Sequence, residues 1–511
     1  MRKIHKARVF RVVSFAFSIL IQLAVLISVI IWFNRYFAIF YGISILISIV
    51  AVIWILNDKI NPAYKISWII LIMLFPIFGG LFYLLYGGNR MKKKEKAKME
   101  PIRKKTMENL KDDSSVLEMI RQQSDDIANQ SRYIKKFSNY PPYRNEYAEY
   151  FPSGEGKFKK LKDELRKAER FIFLEYFIIE EGVMWDSILK ILIDKANEGV
   201  DVRVIYDDAG CMTTLPYGYN RRLEKLGIQC CVFNPMIPVI SAKLNHRDHR
   251  KICIIDGHTG FTGGINLADE YINEYEKHGH WKDAAIMIKG QAVWSLTVMF
   301  LAVWDYIKGV TEEEERYHSS CGADADRLYD GYVQPFADSP LDQESVGEGV
   351  YLNFINKAKR YVYIMTPYLI IDNEMITALC MAAKSGVDVR IITPYHFDKW
   401  FVHSVSRSYY NTLIESGVRI YEYLPGFIHS KICVADDEYG FVGTINMDYR
   451  SLYLHFECGI WLYRCSCLHD IKKDFLETIE ISQEITAEVQ KNISWVTTMV
   501  RSILRIFSPL M

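Results

Sequence analysis

The stretch HRKICIIDGHTGFTGGIN, His249 to Asn266, returns as HSKICVADDEYGFVGTIN, His429 to Asn446, without a gap. Each copy has a His, a Lys two residues on, an Asp five after that, a Gly seven after the Asp, and an Asn three after the Gly. The surroundings repeat as well. KAERFIFLEYF (Lys167 to Phe177) answers KAKRYVYIMTPY (Lys357 to Tyr368), GVDVRVI answers GVDVRII, and LEKLGI answers LIESGV. The offset runs between 180 and 190 residues, the size of a domain rather than of a solenoid repeat. In each half the order is strand, amphipathic helix, strand, helix, strand, then the motif. Strands alternating with helices imply an α/β fold of two tandem α/β/α halves with mostly parallel or mixed sheets, and the duplication makes one catalytic unit built from both the simplest arrangement.

His249 and Lys251 lie two apart in an apolar, β-branched run, as do His429 and Lys431. On a strand that spacing puts both side chains on one face. Two copies face to face supply two imidazoles, two ammoniums and two Asn amides, a constellation suited to a phosphodiester. Lys251, Lys431, Asn266 and Asn446 are candidates to bind the nonbridging oxygens. One His attacks phosphorus while the other protonates the leaving oxygen, which explains the doubling. Asp283 in WKDAAIMI and Glu457 in FECGIWL follow the two copies at matching places. They are expected to orient the imidazoles through Nδ1–H. Asp256 and Asp436 complete the expected catalytic set. Asp256 precedes Gly257 between two apolar runs, a hairpin signal. Its residue type fits equally a turn or a charge balance for the motif Lys.

Three apolar runs open the chain, at 12–33, 37–56 and 66–86, each about 20 residues, the length that crosses a hydrocarbon core as helix. The first is too long for a signal-peptide core, and a second run follows almost at once. Arg2, Lys3, Lys6 and Arg8 precede the runs, and Arg90, Lys92, Lys93, Lys94, Lys96 and Lys98 follow them. Both basic clusters favour the cytoplasm, which three full crossings forbid. Pro76 and Gly79-Gly80 mark the third run as the one most easily broken, so two crossings and a re-entrant or interfacial third segment are expected. The expected layout is an N-terminal membrane anchor at 1–90, a charged juxtamembrane linker at 91–130, a first half at 131–325, a second half at 326–490, and an amphipathic segment at 491–511. That last segment either lies on the interface or packs on the core.

A formal net charge of +1 excludes a polycation built for nucleic acid. The ten Cys contain no CxxC pair and read as reduced, structural thiols. There is no HExxH, no His pair within one copy and no carboxylate cluster, so no metal site is expected.

The doubled HxKxxxxDxxxxxxGxxN resembles the phospholipase D superfamily. ISWIILIMLFPIFGGLFYLLYGGNR (Ile66 to Arg90) is similar to the segment that precedes the catalytic halves of bacterial cardiolipin synthases. EYFI, DEY, TPY, DYRS and the terminal SPL are similar to that family too. Two positions depart from it: Thr444 stands where Ser is usual, and His455 where Asn is common. Neither departure removes a proposed catalytic group. The resemblance implies phospholipase-D-like halves and a phosphatidyl transfer. A motif His, His249 if the first copy serves as it often does in the family, attacks one phosphatidylglycerol and releases glycerol. The hydroxyl of a second phosphatidylglycerol then takes the phosphatidyl group from the histidine. No metal, nucleotide or other cofactor is implied. The partners implied are phosphatidylglycerol and membrane phospholipids, and the place is a bacterial plasma membrane, multi-pass, with the catalytic part on the cytoplasmic face. A membrane-bound hydrolase with water as acceptor is the alternative.

Overall fold

The computed structural model describes residues 13, 17, 19–25, 27–28, 37–58, 60–76, 78–87, 93–110, 114–236, 245–310, 314–319, 329–340 and 344–510. Half of the first apolar run, 12–33, and the whole of the N-terminal basic cluster fall outside them.

Each half builds one mixed sheet. In the first, Phe171–Tyr176, Asp201–Asp207 and Gln229–Phe233 run parallel, linked by the helices Val183–Asn197 and Tyr219–Glu224. The motif strand Lys251–Ile255 then adds antiparallel to Phe171–Tyr176 and is followed outward by Thr259–Gly263, Ala285–Lys289 and Tyr147–Phe151. The second half repeats the plan. Tyr361–Met365, Asp388–Pro394 and Arg419–Tyr423 are parallel, and Ile432–Ala435, Tyr439–Gly443, Glu457–Tyr463 and Tyr332–Asp338 continue antiparallel. The motif strands are buried along their whole length, which is why they read as unbroken apolar runs after the Lys. Cys253 and Cys433 are fully buried on them as small hydrophobes.

The two sheets share one core. The helix Val293–Lys308 is apolar nearly all round and is buried along most of its length, with Phe300 stacked on Phe173 at 4.6 Å. Its counterpart, Cys467–Glu480, packs Phe475 against Tyr363 at 4.7 Å. Side chains of both halves and of both helices belong to a single apolar cluster.

The third apolar run is not one helix. It folds as Pro62–Leu74 and Gly79–Tyr86, broken at Pro76, and both pieces pack against Phe37–Asn57. Among the described residues, one helix, Ala38–Asn57, is long and apolar enough to cross a membrane. Ser48 on it donates to the Pro76 carbonyl at 2.7 Å, so an acceptor freed by the break is satisfied where water is scarce. Gly79 and Gly80, expected to weaken the run, instead permit close packing. A Cβ on Gly80 would lie 3.0 Å from the Ser48 backbone.

The stretch 91–130, expected as a linker, is largely part of the fold. Ser114–Gln123 and Asp125–Ser138 are amphipathic helices that bury Val116, Ile120, Ile127 and Ile134 in the core of the second half. The polar face conceals that burial in a simple charge count. The segment Tyr143–Arg144 also pairs with the second sheet, so the halves are interleaved in sequence.

Candidate active site

The halves meet beside the motifs, where Gly426–Ile428 pairs with His280–Lys282 and Asp248 bridges Phe456, and each motif His is held by backbone of the other half. The backbone N–H of His249 donates to the Phe456 carbonyl at 2.9 Å, and that of His429 to the Lys282 carbonyl at 2.6 Å. This register places the acid that follows each carbonyl on the opposite imidazole. His249 Nδ1 lies 2.9 and 3.0 Å from the two Glu457 carboxylate oxygens. His429 Nδ1 lies 2.7 Å from Asp283 Oδ2. The orienting acids named from the sequence are therefore in place, but exchanged between halves. No spacing along the chain announces a partner 208 residues away.

Both carboxylates are fully buried. Asp283 and Glu457 are held below the usual carboxylate range even though burial opposes it, chiefly by the facing imidazole. The imidazoles go the other way. Burial, the largest effect, pushes His249 down to about 3 and His429 down to about 4, outweighing the neighbouring acids. At rest each ring is neutral, with Nδ1–H donating to an ionised carboxylate and the Nε2 lone pair available.

Lys251 and Lys431 each bond the carbonyl of their own motif His. Burial lowers Lys251 to about 8 and Lys431 to about 7, against the pull of Asp283 and Glu457. Lys251 also depresses Lys431 and His429 directly, so the two motifs share one electrostatic site. Asn446 is buried with its Oδ1 free of hydrogen bonds. Asn266 is more committed: Nδ2 donates to the Tyr271 hydroxyl at 2.7 Å and Oδ1 accepts from Ile178 N–H at 3.0 Å.

Asp256 and Asp436 do not reach this site, which corrects their expected catalytic role. Each follows a motif strand, with the Lys at or just before the other end, about 15 Å off at a strand's rise per residue. Each adopts a positive φ, 54° and 57°, in the hairpin loop after its strand. Asp256 accepts from the N–H groups of Glu169, Arg170 and Phe171 at 2.7–2.9 Å. Asp436 does the same for Lys359, Arg360 and Tyr361 at 2.7–3.0 Å. They fasten the entry of the neighbouring strand, which is the turn reading of the residue type.

Several contributors carried no signal in the motif. Trp281 lies on His429 at 5.3 Å between centroids, with Phe427 at 6.0 Å, while Phe177 meets His249 edge-on at 5.1 Å. Thr444 donates to Glu457 Oε2, so the departure from Ser keeps the hydroxyl that steadies the acid. His455, the other departure, stands beside His249 at 5.6 Å. Among the described residues, one group of His and acid side chains is close enough to hold a metal ion: His249, His455 and Glu457.

Comparison with known proteins agrees with the geometry. A family model described as cardiolipin synthase, PLD-like domain, matches residues 161–296 and 351–479, one block in each half. A second, phospholipase D-nuclease N-terminal, matches 46–88. An uncharacterized protein of Streptococcus mutans serotype c is 43% identical over 466 residues, 90% of this chain and 99% of its own. A cardiolipin synthase of Halalkalibacterium halodurans is 34% identical over 473 residues, 92% of this chain and 93% of its own. Among solved structures, phosphatidylserine synthase of Haemophilus influenzae has a similar fold, with a TM-score of 0.54 at 15% identity over 75% of this chain and 97% of that one. With two matched halves around a paired His–Lys site, and relatives that align over nearly its whole length, the chain belongs to the cardiolipin synthase family of phospholipase-D-like proteins.

Proposed function

We propose that the protein is a cardiolipin synthase that moves a phosphatidyl group from one phosphatidylglycerol to another and releases glycerol. The observation that carries this reading is the exchange of acids: each imidazole is neutral and aimed by a carboxylate of the other half, so neither half is a complete catalyst alone.

In the first step His249 Nε2 attacks phosphorus and the bond from phosphorus to the glycerol oxygen breaks. His429, protonated once the diester's negative charge enters the site, gives its proton to that oxygen. In the second step the free hydroxyl of another phosphatidylglycerol gives its proton to His429 and attacks phosphorus. The P–N bond breaks and His249 leaves neutral. Lys251, Lys431 and Asn446 bind the nonbridging oxygens where charge accumulates. The imidazole side chains are only 9% exposed, which favours a lipid hydroxyl over water as acceptor. No residue of the scheme needs a metal or nucleotide.

The enzyme sits in a bacterial plasma membrane, multi-pass, with its catalytic halves on the cytoplasmic face. The folded-back pair Pro62–Leu74 and Gly79–Tyr86 supports two crossings with both basic clusters inside. An N-terminal tag reached by protease in intact cells would defeat that topology.

The test of the reaction is lipid extraction after reconstituted protein meets phosphatidylglycerol alone, with chelator and without nucleotide. Wild type should give cardiolipin and glycerol, and His249→Ala and His429→Ala neither. Phosphatidic acid in place of cardiolipin would make it a hydrolase. Full activity in either variant would overturn the shared site.

A further inference from the structure

We infer that the His249 centre, and not its His429 counterpart, is a three-ligand site for a divalent transition metal ion such as Zn²⁺, made by His249, His455 and Glu457, and that occupancy stops turnover. The site stands on geometry alone; its effect on turnover rests on the proposed reaction.

His249 and His455 lie in different halves of the sequence, so the pair arises only in the fold. His455 lies two residues before Glu457, on the segment that runs beside Asp248 and carries the acid into the other half. Its Nδ1 is 3.7 Å from Glu457 Oε1, and His249 Nδ1 is 2.9 Å from the same oxygen. The three ligand atoms all lie within 4.8 Å of one another. Tetrahedral Zn²⁺ with bonds of about 2.0–2.1 Å sets its ligand atoms about 3.3 Å apart. The two separations to Glu457 straddle that value, and the imidazoles have only to turn toward a shared ion to close the site.

A second observation points to a ligand. His455 Nδ1 is buried and makes no hydrogen bond, although its side chain is 12% exposed and so within reach of an ion. A buried ring nitrogen facing an ionised carboxylate at 3.7 Å is a group waiting for something between them. Thr444 occupies Glu457 Oε2, which leaves Oε1 toward both imidazoles. Soft imidazole nitrogens with one carboxylate suit Zn²⁺ and similar ions rather than Mg²⁺ or Ca²⁺.

The other half is the built-in control. There the place two residues before the orienting acid is Trp281, which lies on His429 as His455 lies on His249. An indole offers no ligand, so Asp283 and His429 hold no third donor. Lys251 and Lys431 both lie close enough to Glu457 to interact with its charge, and as ammoniums they oppose a dication, so binding is weak enough to be reversible.

The consequence for His249 follows from its tautomers. A metal ion on Nδ1 takes that lone pair, and the ring's one proton then sits on Nε2. No lone pair remains there to attack phosphorus, and no bond is made or broken in the substrate. Glu457 is drawn to the ion as well and no longer steadies an imidazolium.

The experiment uses the full-length protein in detergent, stripped with chelator. Zn²⁺ binding is followed by equilibrium dialysis and Co²⁺ binding by its visible absorption, with no lipid present. One ion per chain is expected for wild type and none for His455→Asn, or for His455→Phe as a second variant, each checked by thermal unfolding. Cardiolipin synthesis is then titrated with Zn²⁺ against each protein's own metal-free rate. Wild type should lose at least tenfold, restored by chelator, and the variants should need at least tenfold more Zn²⁺. Equal inhibition of wild type and variants, or no stoichiometric binding to wild type, would overturn the inference. Binding is read without substrate, so a protein that holds Zn²⁺ through His455 yet makes no cardiolipin would defeat the proposed reaction and leave the site.

Discussion

Two neutral imidazoles beside two easily discharged ammoniums fix the pH range in which the free enzyme can act. Below about 3–4 the nucleophile is protonated and has no lone pair, so activity rises with pH through that range. Lys431 at about 7 and Lys251 at about 8 lose their charge as pH rises, and phosphate binding falls with them. In kcat/KM, which also carries the uptake of a proton by His429, a further downward step should begin near 7. Lys431→Arg, which keeps its proton, should move the step toward 8 at a reduced rate, and a step that stays near 7 would refute the assignment. The carboxylates separate by role. Glu457→Gln and Asp283→Asn should each lower kcat by about 10²–10⁴, since an amide cannot steady the imidazolium. Asp256→Ala should instead cost about 1–3 kcal/mol of stability, from three backbone N–H groups left unpaired, and leave kcat per folded molecule within about threefold. Denaturant unfolding and active-site titration together separate the two outcomes. The doubled spacing made His249, Lys251, His429 and Lys431 legible, although His249, His429 and Lys431 stand just before the strands Lys251–Ile255 and Ile432–Ala435 rather than on them. The exchange of Glu457 and Asp283, and the place of His455, were hidden because they depend on which strand of the other half each motif meets.

At the scale of elements, the period of the pattern foretold strands and helices, while environment decided how the ambiguous stretches were used. The parallel strands and the antiparallel motif strand look alike in sequence, for both are apolar throughout, so the mixed sheet emerges only from pairing. The helix Asp125–Ser138 carries charges outward and reads as linker, yet Gln130 accepts from the Trp461 indole at 3.2 Å and Ser131 donates to Gln334 at 2.7 Å. Those bonds tie it to the sheet of the second half. In the apolar hairpin, Pro76 makes the break and Gly80 the close approach. A side chain at Gly80 meets the Ser48 backbone at about van der Waals limits or closer, 3.0 Å for the first carbon alone. Gly80→Val should therefore destabilise the hairpin by about 1–3 kcal/mol. The check is the thermal unfolding midpoint of detergent-solubilised protein, and an unchanged midpoint would mean that the packing is loose. Ser48→Ala leaves the Pro76 carbonyl without its donor and should lower the same midpoint, at a cost of about 1–3 kcal/mol.

Among the described residues, the apolar hairpin meets the catalytic halves around Asn61 and Ser67, and exposed apolar side chains lie beside that contact. Asn61 donates to Asp372 at 2.8 Å and to the Tyr453 hydroxyl at 3.0 Å, and Ser67 donates to the Ile506 carbonyl at 2.6 Å. The end of the chain is thus pinned against the helix Pro62–Leu74, with Ser508 and Pro509 buried. The helix Trp495–Ile506 both packs and projects. Its Arg505 lies over the Tyr409 ring at 4.3 Å, toward the helix Trp400–Ser408. Trp495, Met499 and Ile503 are exposed, Trp495 by 74%, and so are Phe397 and Trp400. A soluble face would not gather these side chains beside a membrane hairpin. Asp398, next to Phe397, accepts from Tyr368 at 2.6 Å, and Tyr368 packs on Phe427 at 6.4 Å, which in turn lies on His429. A short row of side chains therefore runs from the apolar surface to the site. If that surface lies in the interface, Trp495 sits at the level of the first acyl carbons. Reconstitution in vesicles containing lipids brominated near the headgroup should quench a component of tryptophan emission that Trp495→Phe removes. The paired change Met499→Glu and Ile503→Glu should lower synthesis on vesicles at least tenfold and spare it on short-chain phosphatidylglycerol in micelles. Equal loss on both substrates would mean that the helix serves the fold alone, and the route from bilayer to His429 would have to be sought on another face.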